Sequence, residues 1–299
     1  MLPIANLAET AWSWTIRDRV LDLRPRALVM GIVNVTPDSF SDGGRYFQPD
    51  QAIQQAQELI RQGADLLDIG GESTRPGATP VPVEEEIRRV LPVIEALAAG
   101  PVPLSIDTMK AAVAEAALRA GAQIVNDVTA LGDPAMPEVV RRYQAGLVLM
   151  HMRGTPQTMA QMTDYDDVMA EVVAHLQTRL LWAEKHGIDK SRVVLDPGIG
   201  FAKRSGHNWT VLARLGELAT LGRPVLLGVS RKGFLGKIGD RPEEQRLPAS
   251  LACACDAVIR QTARILRVHD VEATRYAVDV LTAIQHGGTE LAGPPDPAV

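Results

Sequence analysis

The sequence predicts a single-domain α/β protein, a (β/α)8 or TIM barrel, and three observations lead to that fold class. The chain has 299 residues, and a barrel of this kind needs about 250. Hydrophobic residues make up 46% of the chain, which is enough to bury a large core. Short apolar runs alternate along the chain with longer segments of helical periodicity. That alternation indicates a parallel sheet covered by helices.

Each apolar run has the character of a strand that is buried on both faces, as strands of a parallel sheet are. There are eight runs, the number that closes a barrel, whereas the rival fold, an open doubly wound sheet, usually has fewer strands. The predicted strands, in chain order, are LVMGIV after Ala27, DLLDIG from Asp65, PLSID from Pro103, QIVND from Gln123, GLVLMH from Gly146, RVVLD from Arg192, PVLLGV from Pro224 and ILRVH from Ile265.

A helix is predicted after each strand, because apolar residues recur there at helical spacing. The first helix opens with Asp50, a residue type that favours the N-cap, and closes at Gly63, a residue type that favours the C-terminal turn. The predicted helices span residues 50–63, 84–99, 109–120, 137–144, 166–186, 208–221, 243–263 and 271–285.

Two shorter segments flank the predicted barrel, which covers residues 27–288. Residues 1–26 precede the first strand and are predicted to cap the bottom of the barrel. Residues 289–299 contain the Pro-rich sequence GPPDPAV and are predicted to be a disordered tail. No segment between them has the composition of a linker, so the barrel is predicted to be one domain.

Charge and cysteine usage exclude several classes of protein. The net charge of −5 argues against nucleic-acid binding, which requires a basic excess. Cys253 and Cys255 lie two residues apart in a predicted helix, so they point to different faces and do not suit a disulfide. Low cysteine use fits a reducing compartment.

The amino-terminal sequence gives no sign of export or of membrane insertion. The stretch MLPIANLAETAWSW has neither the basic region nor the apolar run of a signal peptide. The chain contains no stretch of about 18 apolar residues, the length that a membrane span requires. A cytoplasmic protein with small-molecule substrates and without nucleic-acid or membrane partners is expected.

Polar and charged residues follow all the predicted strands, and they do so at the carboxyl end only. Barrel enzymes carry the active site at this face, so this asymmetry predicts a site there. Two long segments after the first and second strands are rich in Gly, Ser, Thr and Pro and are predicted to close over a substrate. The segments that follow the strands are NVTPDSFSDGG, GGESTRPG, SIDT, ND, HMRG, DPGIGFAK, SRKG and RVHD.

These polar residues divide into two chemical sets. Asp107, Asn126 and Asp196, from three strands, suit a ligand that presents N–H donors, such as the edge of an aminopyrimidinone. A second set is cationic in an acidic protein and therefore implies an anion, held where barrels often bind phosphate. The cationic set consists of Arg75, Arg231, Lys232, Arg267 and His269.

Several of these residues have a structural role as the alternative. Asp107 could cap the next helix, and Asp196 could form a turn with its own backbone. His151 is either a site residue or a core histidine with its hydrogen bonds satisfied. His175 is predicted to lie at the surface, as are His186 and His286.

The segments after the strands together resemble those of the dihydropteroate synthase family, and they occur in the family's order over nearly the whole chain. The resemblance rests on MGIVNVTPDSFSDGG (30–44), DIGGESTRPGA (68–78), SIDT (105–108), VND (125–127), LMHMRGTP (149–156), LDPGIGFAK (195–203), GVSRKGFLG (228–236) and RVHD (267–270). It implies a homodimeric TIM-barrel transferase of folate biosynthesis. The implied reaction condenses 6-hydroxymethyl-7,8-dihydropterin diphosphate with p-aminobenzoate, assisted by Mg²⁺, and sulfonamides compete with p-aminobenzoate.

The resemblance also implies roles for individual residues by motif position. The pterin would be bound by Asp107, Asn126, Met150, Asp196, Gly228, Lys232 and Arg267. The diphosphate would be bound by Asn34, Arg267 and His269, with Asn34 also reaching the metal ion. The p-aminobenzoate would be surrounded by Phe40, Thr74, Arg75, Pro76, Phe201 and Ser230. The catalytic residues would be Lys232, Arg267, His269 and Asp107.

Two other functions are alternatives. A pterin-dependent methyltransferase has a similar pterin-binding barrel but no diphosphate to hold, and it is not expected to combine both long loops with Lys232. A pterin-binding paralog that has lost activity is the second alternative. Intact Asn34, Arg75, Lys232 and His269 argue against it.

Overall fold

The structure, a computed structural model, describes residues 12–36 and 49–287. Eight parallel strands form a nearly closed ring surrounded by helices, which confirms the predicted (β/α)8 barrel. The barrel strands are β3 (Leu28–Asn34), β4 (Leu66–Gly70), β5 (Leu104–Asp107), β6 (Ile124–Asp127), β7 (Gly146–Met150), β8 (Val193–Asp196), β9 (Leu226–Leu227) and β10 (Ile265–Val268).

Neighbouring strands in the sequence are neighbours in the ring, and β10 returns to pair with β3. The ring closes between β8 and β9 through one bridge, from Leu195 to Val225. There the backbone N–H of Leu195 donates to the carbonyl of Pro224 at 2.9 Å. The closure of the ring excludes the open doubly wound sheet.

The helices cover the outside of the ring, and their apolar faces pack with the outward-facing residues of the strands in one large cluster. None of the helices in the described ranges combines the length and the apolar character that a membrane crossing needs. The helices are α1 (Pro49–Arg61), α2 (Val83–Leu97), α3 (Ala111–Ala120), α4 (Met136–Tyr143), α5 (Val168–Lys185), α6 (Ser205–Ala213), α7 (Gly233–Gly236), α8 (Leu247–Ile259) and α9 (Val271–Gln285).

The structure corrects the bounds of three predicted helices. Helix α1 begins at Pro49, so Asp50 lies in its first turn and is not the N-cap. The predicted helix 208–221 is α6 followed by a separate 3-10 segment, Leu215–Leu221, and Gly216, a poor helix former, lies at the junction. The predicted helix 243–263 begins only at Leu247, because Pro248 suits a first turn and cannot continue a helix from before it.

Alternate residues of the strands point into the barrel, and in its lower half they are apolar. These residues form a buried ring of Met30, Leu66, Ile124, Val148, Val194, Leu226 and Ile265. Trp14, Ile16 and Leu23 pack against this ring and are also buried. They come from the amino-terminal segment, which forms an antiparallel hairpin of β1 (Ser13–Ile16) and β2 (Arg19–Asp22).

The hairpin lies at the amino-terminal ends of the barrel strands. The indole N–H of Trp14 donates to the carbonyl of Arg192, just before β8, at 2.8 Å. At Gly146, the first residue of β7, a Cβ atom would lie 2.5 Å from the Ile16 side chain, so only glycine allows this close approach. The tail 289–299 lies outside the described residues.

Candidate active site

The upper half of the barrel interior is polar, in contrast to the apolar ring below it. Arg267, from β10, donates through Nε to Asp68 Oδ2 at 2.6 Å and through Nη2 to Asp107 Oδ2 at 2.7 Å. The Asn126 amide also donates to Asp68 Oδ2, at 2.9 Å. Hydrogen bonds thus join Asp68, Asp107, Asn126 and Arg267, from strands β4, β5, β6 and β10. We call these four residues, together with the buried Ser105 of β5, the pit.

The pit contains polar atoms that have no partner. Four buried oxygen atoms make no hydrogen bond to the described residues: Asp68 Oδ1, Ser105 Oγ, Asp107 Oδ1 and Asn126 Oδ1. A buried polar atom without a partner costs stability, so such atoms are rare in folded proteins and call for an explanation. Because carboxylate and amide oxygens accept hydrogen bonds, these atoms suit a ligand that brings donors.

Burial perturbs the charges of the pit. Burial raises the pKa of Asp107 to about 7, with Asp68 adding to the rise and Arg267 opposing it. For Arg267, burial alone would lower the pKa, but Asp68 and Asp107 outweigh that effect and the net pKa is raised. The guanidinium therefore stays charged, while the acidic side of the pit can hold a proton close to neutral pH.

Asp196, at the end of β8, and Lys232 lie beside the pit. The Asp196 carboxylate accepts from the Gly198 backbone N–H at 2.7 Å, and burial raises its pKa. Lys232 Nζ donates to the Ile199 carbonyl and lies 4.8 Å from the centre of the Phe201 ring. Burial lowers the pKa of Lys232 to about 8, with Asp196 opposing the fall. Near pH 7 the lysine is mainly charged.

The predicted anion-binding residues meet at the mouth of the barrel, except for one. His269 Nδ1 lies 3.1 Å from Ser230 Oγ, whose oxygen also accepts from the His269 backbone N–H at 3.2 Å. Burial lowers the pKa of His269 to about 4, and Arg267 and Arg231 add to the fall. Arg231 itself pairs with Asp270, with Nε 2.9 Å from Oδ2. Arg231 therefore forms an ion pair with Asp270 in this structure.

Asn34 lies at the carboxyl end of β3, next to Gly70 of β4, and Gly70 is in turn paired with Asp107. This register places Asn34 on the rim, one strand away from β10, which carries Arg267. Asn34 is half-buried. Because side chains alternate along a strand, Asn34 shares the inward face of β3 with Met30.

The residues predicted to surround p-aminobenzoate are only partly assembled. Ser230 is buried and Phe201 half-buried beside Lys232, whereas Arg75 and Pro76 are exposed and Thr74 is half-buried in the loop after β4. That loop is tied to the loop after β7, because Gly77 N–H donates to the Pro156 carbonyl at 3.1 Å. The charge of Arg75 contributes to lowering the pKa of His269. Phe40 lies outside the described residues.

One wall of the site is apolar and rich in methionine. Met150 is buried in a cluster with Val128, Met152, Met159 and Ala202, and Phe201 packs against it. Gly228, on the β9 side, faces Arg267, where an added Cβ atom would make only an ordinary contact at 3.9 Å. The site therefore includes an apolar cluster, the type of surface on which a planar heterocycle can pack.

Asp68 is a pit residue that the sequence-based assignment missed. It lies inside β4 rather than after it, and its side chain is completely buried. Because side chains alternate along a strand, Asp68 shares the inward face with Leu66 and Gly70. A single acidic residue at an inward position of an apolar strand was the signal that could have revealed it.

The structural alternatives are resolved residue by residue. Asp107 does not cap α3, since that helix begins at Ala111 and its N-cap residue is Lys110. Asp196 does form the predicted turn with its own backbone, while its carboxylate remains inside the barrel. His151 is a core histidine, and the surface prediction for His175 is wrong, because its ring packs edge-on against His151 at 4.9 Å.

Comparisons with known proteins identify the family to which the chain belongs. A sequence family described as "Pterin binding enzyme" matches residues 30–269. The dihydropteroate synthase of Synechocystis sp. is 44% identical over 267 residues, which cover 89% of this chain and 92% of that protein.

Two solved structures have the same fold as this chain. Xanthomonas albilineans dihydropteroate synthase with 4-aminobenzoic acid is 49% identical, with a TM-score of 0.86, and the match covers 92% of this chain and 98% of that one. Yersinia pestis dihydropteroate synthase in a sulfonamide drug complex is 45% identical, also with a TM-score of 0.86, over 92% and 99% of the two chains.

Proposed function

This chain belongs to the dihydropteroate synthase family of pterin-binding enzymes, and from that premise we propose how its residues carry out the reaction. The enzyme condenses 6-hydroxymethyl-7,8-dihydropterin diphosphate with p-aminobenzoate, the anion of 4-aminobenzoic acid, to give 7,8-dihydropteroate and diphosphate. It is a transferase of folate biosynthesis and, like its relatives, a sulfonamide target.

The observation that carries the assignment of residues is the set of unpartnered oxygen atoms in the pit. A pterin presents its ring N–H and amino groups along one edge, and Asp107, Asn126 and Asp68 each have a buried acceptor without a partner among the described residues. Asp196 completes this edge from β8. Met150 would pack on one face of the ring system, and Arg267 would leave its carboxylate partners to stack on the other.

The charges at the mouth support binding of the diphosphate. Arg267 remains charged, and His269 and Asn34 offer donors on the same rim. As the C–O bond breaks, its electron pair leaves with the diphosphate, where fixed cations stabilise the growing negative charge. The positive charge left on carbon is delocalised into the dihydropterin. The neutral amine of p-aminobenzoate then forms the C–N bond and loses a proton.

The acceptor side would be shaped by Lys232, Phe201 and Ser230, with Thr74, Arg75, Pro76 and Phe40 supplied by the two loops. The ammonium of Lys232 lies close to Phe201, so it can face both the pterin carbonyl and the p-aminobenzoate pocket. These residues make no covalent bond to substrate in this mechanism. Their contribution is to bring the amine nitrogen within bonding distance of the pterin carbon.

The donor set of the rim fits Mg²⁺. This ion prefers oxygen ligands, keeps several waters and usually binds through one or two protein oxygens together with substrate phosphates. The Asn34 amide oxygen and the diphosphate would supply such ligands. Among the described residues, no three His, Cys, Asp or Glu side chains converge as a separate metal site. When bound, Mg²⁺ would neutralise part of the charge on the leaving diphosphate.

One assay tests the reaction, the assigned residues and the metal together. The enzyme is incubated with the pterin diphosphate, labelled p-aminobenzoate and Mg²⁺, and labelled dihydropteroate is measured. Asn34→Ala should lower turnover and shift the Mg²⁺ dependence to higher concentration, and EDTA should stop turnover while 6-hydroxymethylpterin still binds. Pterin binding without any product from the wild type would instead favour the inactive paralog.

A homodimer is proposed on the basis of helix α9. It exposes Tyr276, Val280 and Ile284, with 74%, 42% and 70% of their surfaces accessible, at a spacing of four residues on one face. Exposed apolar stripes of this kind mark interaction surfaces. Sedimentation should give a dimer mass for the wild type and a monomer mass for Ile284→Glu. The expected location is the cytoplasm, where the folate precursors would be available.

A further inference from the structure

We propose that Lys203 and His151 form a positioning pair that holds the loop after β8 and, through it, sets Phe201 and Lys232 for the arylamine substrate. The inference rests on the proposed function, since it assumes that Phe201 and Lys232 meet p-aminobenzoate. Neither Lys203 nor His151 touches the pit, and both are buried, with 8% and 1% of their surfaces exposed.

Lys203 uses its whole hydrogen-bonding capacity on this loop and on His151. Its ammonium has three donors and no acceptor, and Nζ lies 2.8 Å from His151 Nδ1, 3.0 Å from the Gly198 carbonyl and 3.2 Å from the Phe201 carbonyl. The lysine therefore links both ends of the segment 198–201 to the end of β7. A side chain that served only to fill space would not need three directed bonds.

The backbone of the loop held by Lys203 has left-handed φ angles and passes close to His151. Gly198, Gly200 and Ala202 all have left-handed φ angles, of 66°, 82° and 49°. A Cβ at Gly198 would lie 1.9 Å from the His151 carbonyl oxygen, so the loop passes against β7 without room for a side chain. The fold of the loop turns the carbonyls of residues 198, 199 and 201 toward two lysine ammonium groups.

The second ammonium group is that of Lys232. It connects the loop held by Lys203 to the proposed p-aminobenzoate site. Lys232 Nζ donates to the Ile199 carbonyl and faces the Phe201 ring at 4.8 Å. If the loop moves, the Phe201 ring and the acceptor of Lys232 move together. The pit lies on β4, β5, β6 and β10, whereas this loop follows β8. Asp196, beside the pit, is in direct contact with the loop through the Gly198 N–H.

His151 is held in a fixed orientation from two sides. Its backbone N–H donates to the Asp196 carbonyl at 2.9 Å, and its ring packs edge-on against His175 at 4.9 Å. Burial lowers the pKa of Lys203 to about 7, with Asp196 opposing the fall. The ammonium form of Lys203 can only donate, so in that form His151 Nδ1 accepts and the imidazole is neutral. Burial, with Lys203 and His175, lowers the pKa of His151 to about 2, in agreement with this role.

The experiment replaces His151, because Lys203 also acts on Asp196 through its charge. His151→Leu removes the acceptor and keeps the volume, whereas His151→Asn keeps an acceptor close to the Nδ1 position. We expect His151→Leu to raise the KM for p-aminobenzoate about tenfold, the effect of losing one hydrogen bond to a charged group. The affinity for 6-hydroxymethylpterin, measured by calorimetry, should change less than this KM, because the pit residues lie on other strands and of the pair Phe201 and Lys232 only Lys232 also faces the pterin. His151→Asn should restore most of the KM.

Arg223→Met is the matched control. Arg223 is also a buried cation, 2% exposed, that donates to backbone carbonyls, of Val193 and Ser191, but at the opposite end of the barrel. Its loss should lower the thermal midpoint without changing the ratio of the two affinities. Lys203→Met should raise the KM for p-aminobenzoate at least as much as His151→Leu does.

Three outcomes would overturn the inference: an unchanged KM in His151→Leu, an equal rise in His151→Asn, or an equal rise in Arg223→Met. A wild type that forms no dihydropteroate would overturn the proposed function instead. If His151→Leu does not fold, as judged by circular dichroism, the comparison passes to Lys203→Met and Lys203→Arg. If the KM for p-aminobenzoate is close to that of the wild type in Lys203→Arg but raised in Lys203→Met, the hydrogen bonds to the loop carbonyls are supported. An equal rise of the KM in both variants contradicts them.

Discussion

The two halves of the barrel interior are built on opposite principles. The lower half is a ring of apolar side chains closed by Trp14, Ile16 and Leu23, in which packing satisfies every group. The upper half is the pit, where Asp68, Ser105, Asp107 and Asn126 each keep one buried polar atom without a partner among the described residues. The lower half stabilises the fold. The upper half lowers the free energy of unfolding but supplies the polar atoms that can bind a ligand.

Removing the indole of Trp14 should have the largest effect on stability. Trp14 is fully buried between the hairpin and the lower ring, and truncation of such a side chain costs about 3–5 kcal/mol. Denaturant unfolding of Trp14→Ala should show this loss, while the pterin affinity at low temperature stays unchanged. A weakened pterin affinity in the folded variant would show that the two halves are coupled.

Asp196→Ala should have the opposite pair of effects, a weaker pterin affinity without a loss of stability. A lost hydrogen bond between a charged group and the ligand costs about 1.5–3 kcal/mol, so the pterin affinity should fall about 10- to 150-fold. Removal of a carboxylate whose pKa burial raises should leave the free energy of unfolding equal or higher. Calorimetry and unfolding of the same preparation measure both quantities. Undiminished pterin affinity would remove Asp196 from the binding site.

The pH dependence of stability should differ in sign between the two halves. Burial raises the pKa of Asp107 from 3.8 to about 7. Between these values the folded state holds a proton that the unfolded state has released, so its contribution to stability falls as the pH rises. The hydrogen bonds from Arg24 lower the pKa of Asp22, on the hairpin, so its contribution is lost as the pH falls instead.

Unfolding between pH 4 and pH 7 tests this difference. The free energy of unfolding of wild type minus that of Asp107→Asn should decrease with rising pH. The same difference for Asp22→Asn should not decrease, because the hydrogen bonds from Arg24 lower the pKa of Asp22 and a group with a lowered pKa adds stability as the pH rises. A difference for Asp107→Asn that increases with pH would mean that Arg267 dominates and that the pit is fully ionised.

Ser105→Ala should have the smallest effect, and its direction is informative. Ser105 is fully buried, and its hydroxyl has no partner among the described residues. Deleting a buried hydroxyl that lacks a partner is expected to stabilise the free protein by up to about 1 kcal/mol. Thermal unfolding with and without 6-hydroxymethylpterin would show whether that hydroxyl gains a partner in the complex. Destabilisation of the free protein would contradict an unsatisfied pit.

The sequence was sufficient to predict the barrel and to identify the residues that follow its strands. Apolar runs are a strong signal, since parallel strands are buried on both faces. Asp68 was not assigned from the sequence, although its inward position in β4 pointed to the barrel interior. That it meets Arg267 and Asn126 depends on how β4 lies against its neighbours, which the sequence does not show. The tie from Lys203 to His151 was equally hidden, since it joins residues 52 positions apart. The ion pair of Arg231 with Asp270 was not predicted either, because it joins the ends of two different strands.

The closure of the ring has a consequence for how the molecule opens. Most neighbouring barrel strands share three to five paired residues, whereas β9 shares two with β10 and meets β8 at one bridge. Amide hydrogen exchange should therefore be fastest among the barrel strands along β9. Ser230 and Lys232 follow directly from this strand, while β3 to β6 pair more extensively. Spontaneous opening of the barrel would then release the acceptor side of the site first and leave the pterin side intact.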